Sequence, residues 1–206
     1  MRVLANAEIP ASAMAAFKNE LEGVIGVDDT SDRVMQLSLD PPAWINLVER
    51  TELWHAAFGA VAAVYVAELV KEAAKATWKV AALTVSAAAG AATKLAKLGA
   101  GSLALKLSLG ERSEVHISIP QTNEYFSARL NLSTDSPEVL QAELALFVTH
   151  LPAVVALAGQ HKTDNSPPAT GYFLSINEDL SLSIVWFDGK SLERNELQIP
   201  LARHEV

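Results

Sequence analysis

Apolar positions keep a helical rhythm through residues 53–98: Phe58, Val61, Tyr65, Leu69, Ala73, Ala76, Val80, Leu83 and Ala87 recur every three or four residues. The stretch has no proline and is rich in alanine. One continuous helix of that length would span roughly 70 Å, whereas a compact chain of 206 residues is on the order of 40–45 Å across. The helix therefore breaks, at Thr77–Trp78 and Gly90, or protrudes and finds a partner. Charge gathers in its middle, at Glu68, Lys71, Glu72, Lys75 and Lys79. The runs on either side are apolar nearly all round, which reads as burial on several sides. Neither run reaches the ~20 apolar residues of a membrane span without taking in Glu68 or the lysines.

On the N-terminal side, residues 1–40 read as a β-α-β unit. Val3, Ala5, Ala7 and Ile9 alternate as a strand, Met14, Phe17 and Leu21 share a helix face, and Met35, Leu37 and Leu39 form a second strand over 34–39. Asp40-Pro41 is a helix-start signal, an N-cap acid before proline. It assigns Trp44, Leu47 and Val48 to the opening of a helical region over 41–98.

After Gly99–Gly101 the period changes to two. Leu103, Leu105, Leu107 and Leu109 alternate with Ala104, Lys106 and Ser108; Val115, Ile117 and Ile119 with His116 and Ser118; and Phe126, Ala128, Leu130 and Leu132 with Ser127, Arg129 and Asn131. Hairpin-length gaps separate the runs, so 99–135 reads as a three-stranded antiparallel meander. Ser136-Pro137-Glu138 opens a helix over 136–160, with a kink at Pro152 and a stop at Gly159. A polar loop over 160–170, expected to be mobile, leads into a second meander over 171–200. Its strands are 172–177, 180–187 and 192–199, with turns at Glu178-Asp179 and Asp188-Gly189. The predicted fold is α+β in a single domain: antiparallel sheet or sheets of two three-stranded meanders, covered on one face by helices, with a long Ala-rich central helix or helical hairpin.

Charge narrows the function. A formal net charge of −8 argues against nucleic acid, which requires clustered Lys and Arg, and suits a basic protein partner. Charged residues make up only 19% of the chain, a sparse coat that leaves surface for a partner or a second copy. The chain has no cysteine, and its first residues do not read as a signal peptide; both fit a cytoplasmic location.

Familiar catalytic spacings fail. Gly99-Ala100-Gly101 follows a helix, the reverse of a dinucleotide turn, and Gly189-Lys190-Ser191 lacks the earlier glycine of a phosphate loop. The acidic run 28–32 lacks the glycine and closing glutamate of a calcium loop. No Gly-x-Ser-x-Gly elbow, Ser-x-x-Lys pair or helical pair of metal-spaced histidines is present. No metal or other cofactor is expected.

Two sets of residues remain as candidates. The polar face of the sheet, with Lys106, His116, Ser118, Arg129 and Asn131, joined by Ser181 and Ser183, suits an anion or a peptide. Trp54, Phe58, Tyr65 and Trp78 are interface anchors. His55, beside Trp54, reads as a packed histidine, and His150, near Pro152, as a helix-end residue. Val185 and Phe187 fall on the wet side of their strand and call for local cover. Three functions follow: an acidic interaction protein, such as an immunity- or antitoxin-like neutraliser of a basic partner; a membrane-associating hairpin over 53–92, disfavoured by its charged tip; and an enzyme of unrecognised type using Lys106, His116 and Arg129.

Overall fold

A computed structural model describes residues 1–28, 31–33, 43–89, 94–110, 113–119, 128–132, 136–166 and 168–201. The elements run β1 (Arg2–Ala5), α1 (Ala11–Leu21), β2 (Ser31–Arg33), β3 (Trp44–Val48), α2 (Thr51–Ala73), α3 (Trp78–Ala89), α4 (Lys94–Leu109), β4 (Glu114–Ile119), β5 (Ala128–Leu132), α5 (Pro137–Thr163), β6 (Tyr172–Ile176), β7 (Leu182–Phe187) and β8 (Arg194–Ile199). All eight strands join one sheet in the order β2-β1-β3-β4-β5-β6-β7-β8.

The α+β class holds, but the sheet is mixed rather than antiparallel. β1–β2, β3–β4 and β5–β6 pair in parallel, and helices make the long return that parallel neighbours require. The other neighbours are antiparallel, so β6, β7 and β8 form the second expected meander and the first does not exist as drawn.

Two segments exchange their expected structures. Residues 44–48 are a strand, because Ile45 and Leu47 bury their side chains while Trp44 and Asn46 stay half-covered, an alternation that a helix would scramble. Residues 94–109 are a helix rather than a strand. Leu95, Leu98, Ser102 and Leu105 are buried at spacings of three and four, and Leu, Ala and Lys are strong helix formers. The alternating leucines are incidental, and one of them, Leu107, is 63% exposed. The expected strand 34–39, Gly90, Phe126 and Ser127 lie outside the described residues.

The glycines at 99 and 101 do not stop α4; they let other elements approach it. A Cβ at Gly99 would sit 3.5 Å from the Pro137 carbonyl oxygen, and one at Gly101 only 2.8 Å from the Phe17 ring. Phe17 is fully buried, so it has little room to yield. Gly101→Ala is expected to lower stability by about 1–3 kcal/mol although alanine favours a helix by about 1 kcal/mol. Urea unfolding checks this, and a stabilised variant would show that the α1–α4 contact is loose.

The long alanine-rich stretch solves its size problem by folding back. α2 ends at Ala73 and α3 begins at Trp78, close to the expected break, and the Tyr65 hydroxyl meets Ser86 Oγ at 2.9 Å between them. α4 lies on β3 and β4, α5 on β5 and β6, α1 on α4, and α2 and α3 on α5. α4 and α5 thus lie directly on the sheet, and α1, α2 and α3 pack against them.

Trp54, Phe58, Tyr65 and Trp78, expected as interface anchors, are instead buried within the chain. Trp54 packs on Phe58 at 5.5 Å between ring centroids and edge-on to Phe147 of α5 at 6.0 Å. α5 passes through Pro152, which is exposed, and continues past Gly159 to Thr163, four residues into the loop expected to be mobile. Among the described residues α2 and α5 are long and apolar enough to cross a membrane; the most apolar window of α5 is 56% buried in the fold and that of α2 only 33%.

Candidate functional site

Alternation along each strand sends one set of side chains under the helices and the other to the opposite face. Pairing registers then set the second set side by side. On the open face Trp44 stands opposite Glu114, Asn46 opposite His116, His116 opposite Asn131 and Ser118 opposite Arg129. The row continues with Arg129 opposite Phe173, Phe173 opposite Val185, Val185 opposite Glu196 and Phe187 opposite Arg194.

At its centre His116 is buried, although its strand position faces away from the helices. Trp44 stacks on the imidazole with 6.2 Å between centroids and 19° between planes. The Arg129 guanidinium lies against the imidazole, in contact with Nδ1 and 3.0 Å from Nε2; Nε2 also lies 2.8 Å from Glu114 Oε2, and because a carboxylate only accepts, Nε2 carries the hydrogen of that bond. Burial lowers the histidine pKa and the charge of Arg129 adds to this, while the hydrogen bond to Glu114 opposes both. The ring is neutral near pH 7 with both nitrogens engaged. That suits a positioned structural imidazole better than a base awaiting a substrate proton.

The open face changes character from β5 to β8. Arg129, Asn131, Phe173, Ser175, Arg194, Glu196 and Gln198 are exposed, and Val185 and Phe187 are half-buried. Ser183 is buried and donates to Glu196 Oε1 at 3.0 Å, and Arg194 pairs with Glu196 at 2.7 Å. Acidic turns close both ends of β7. Asp179 accepts from the Ser181 amide and hydroxyl, and Asp188 from the amides of Lys190 and Ser191, which holds both carboxyls below the usual range.

The structure therefore brings together His116, Ser118, Arg129 and Asn131 and separates Lys106 from them. Lys106 is buried on α4 in the helix layer, where its charge acts on Glu143 of α5. Burial pushes the Glu143 carboxyl up to about 7 against the opposing charges of Lys79 and Lys106. Ser181 belongs to the β6–β7 turn, bonded to Asn177 and Asp179. His55 lies on the exposed side of α2, and His150 sits in the middle of α5, where Nε2 donates to the Leu180 carbonyl at 3.1 Å. Trp44, Glu114 and Phe173 join the site unannounced, because only the β3–β4 and β5–β6 pairings reveal them. No protein-family model, curated protein or solved structure matches the chain.

Proposed function

We propose that this is a binding module without catalytic chemistry of its own, and that the open sheet face over β5–β8 receives a basic protein partner. The observation that carries the reading is the composition of that face. Arg129, Phe173, Val185, Phe187 and Arg194 form a row of aromatic, aliphatic and arginine side chains, the types that anchor protein interfaces. Val185 and Phe187 have no helix over them among the described residues, so the local cover they call for comes from the partner. The acidic turns at both ends of β7 and the net charge of −8 steer a positively charged surface toward the row. A neutraliser of a basic toxin or enzyme is the member of this class that such a surface suits.

Phe173 is 42% exposed, so replacing it tests recognition with little effect on the core. The expected result is a stoichiometric basic protein retained by the wild type from the native cell, weakened at least ~30-fold by Phe173→Asp, a loss of about 2 kcal/mol or more. Its association rate should fall as salt rises. Val155→Asp, on the exposed side of α5, serves as the control and should bind normally. Equal retention by all three proteins would overturn the reading.

A further inference from the structure

We propose that His116 makes the open sheet face acid-sensitive: protonation of its imidazole drives the Arg129 guanidinium off the ring and takes an arginine out of the recognition row. The inference rests on the reading of that face as a docking surface and adds how docking there is regulated.

Hydrogen-bond chemistry sets up the conflict. An arginine offers only donors and a carboxylate only acceptors. Neutral His116 satisfies both neighbours: Nε2 gives its hydrogen to Glu114 Oε2, and the bare Nδ1 receives Arg129. A second proton has to go on Nδ1, the nitrogen in contact with the guanidinium. Donor then meets donor and cation meets cation, while the bond to Glu114 becomes charge-assisted. The Glu114 contact is kept and the Arg129 contact is lost.

Packing decides which group moves. His116 is 1% exposed and Trp44 stacks on its ring, so the imidazole has no room to turn away. Arg129 is exposed on β5, and its guanidinium is free to swing into water. Among the described residues, Glu114 and Arg129 are the charged groups that act on the ring. β3 brings Trp44 and Asn46 to it and β5 brings Asn131, none of which titrates. Lys106 belongs to α4, on the other face of β4. Burial and the charge of Arg129 hold the ring below the ordinary 6.5 against the bond to Glu114, so the change falls on the acid side of neutrality.

Protonation also adds a positive charge to the face. A basic partner loses an arginine anchor and meets a repelling charge in the same step, so acidification releases it.

Side-chain NMR of the isotope-labelled chain, with no partner present, tests the switch from about pH 8 to about pH 4.5. The His116 Cε1–H signal should titrate below the ordinary value, and the Arg129 Nε–H signal should move with the same midpoint while the backbone amides stay dispersed. In His116→Gln, which cannot be protonated, the Arg129 signal should stay flat. Two replacements at less buried positions give a second reading that does not depend on that variant folding. Arg129→Gln removes the repulsion and should raise the His116 midpoint, whereas Glu114→Gln removes the attraction and should lower it. A flat Arg129 signal while His116 titrates, an Arg129 shift that persists in His116→Gln, a ring that stays neutral throughout, or midpoints that move in the same direction in the two replacements would overturn the proposal. Because these signals are read without a partner, they succeed or fail separately from the Phe173→Asp retention test of the docking surface.

Discussion

Trp54→Ala should cost the protein about 3–5 kcal/mol of stability, the range for emptying a buried aromatic site. Trp54 is fully buried where α2 crosses α5, against Phe58 and Phe147, and the contact joins the alanine-rich helices to the helix that covers β5 and β6. Seven alanines and a glycine lie along α2, and such short side chains cannot move in to fill the cavity. The indole Nε1 is buried with no hydrogen-bond partner among the described residues. Trp54→Phe therefore loses volume but also removes an unmet donor, and should cost less than half as much. Urea unfolding of both variants checks the pair. A loss below ~1 kcal/mol for Trp54→Ala would mean that α2 is not anchored there.

Glu143→Gln should stabilise the protein above neutral pH, by about 1–3 kcal/mol at pH 8, and change little at pH 5. The carboxyl is buried between α5 and the helices carrying Lys79 and Lys106, and its Oε2 has no hydrogen-bond partner among the described residues. Its folded pKa of about 7 lies above the ordinary 4.5, so the fold favours the neutral acid. That contribution is fully present below pH 4.5 and is lost as pH rises through 7. Glutamine imitates the neutral form at every pH. The histidines act in the opposite direction: burial lowers the pKa values of His116 and His150, so their contribution is present above the ordinary value of 6.5 and is lost as pH falls through their folded values. Unfolding measured from pH 5 to pH 8 separates the two, because only the alkaline loss should disappear in Glu143→Gln. A variant less stable than the wild type at pH 8 would show that ionised Glu143 is needed to balance Lys106.

Local signals identified the elements whose neighbours in space are also neighbours in sequence. The Asp188-Gly189 turn and the alternation on each side of it defined β7 and β8, and Ser136-Pro137 marked the start of α5, where Ser136 Oγ accepts from the Val139 amide. Elements decided at long range were misread. β3 pairs with β4 across three intervening helices, and nothing near Trp44 outweighs the helix signal of Asp40-Pro41. The leucines of 103–109 satisfy a two-residue period as well as a helical one, and only the packing of α4 on α1 and α5 distinguishes them. The candidate site divided in the same way. His116, Ser118, Arg129 and Asn131 were legible because strand alternation is local, Lys106 was misplaced with its helix, and Trp44 and Phe173 required the parallel registers.

Photocrosslinking in the native cell tests the account most directly, with a photoreactive amino acid placed at Phe173 on the open face or, as a comparison, at Val155 on the outside of α5. The account predicts a discrete adduct with one basic protein from position 173 and none from position 155. No adduct from position 173, or the same adducts from both positions, would contradict the assignment of the open sheet face as the recognition surface.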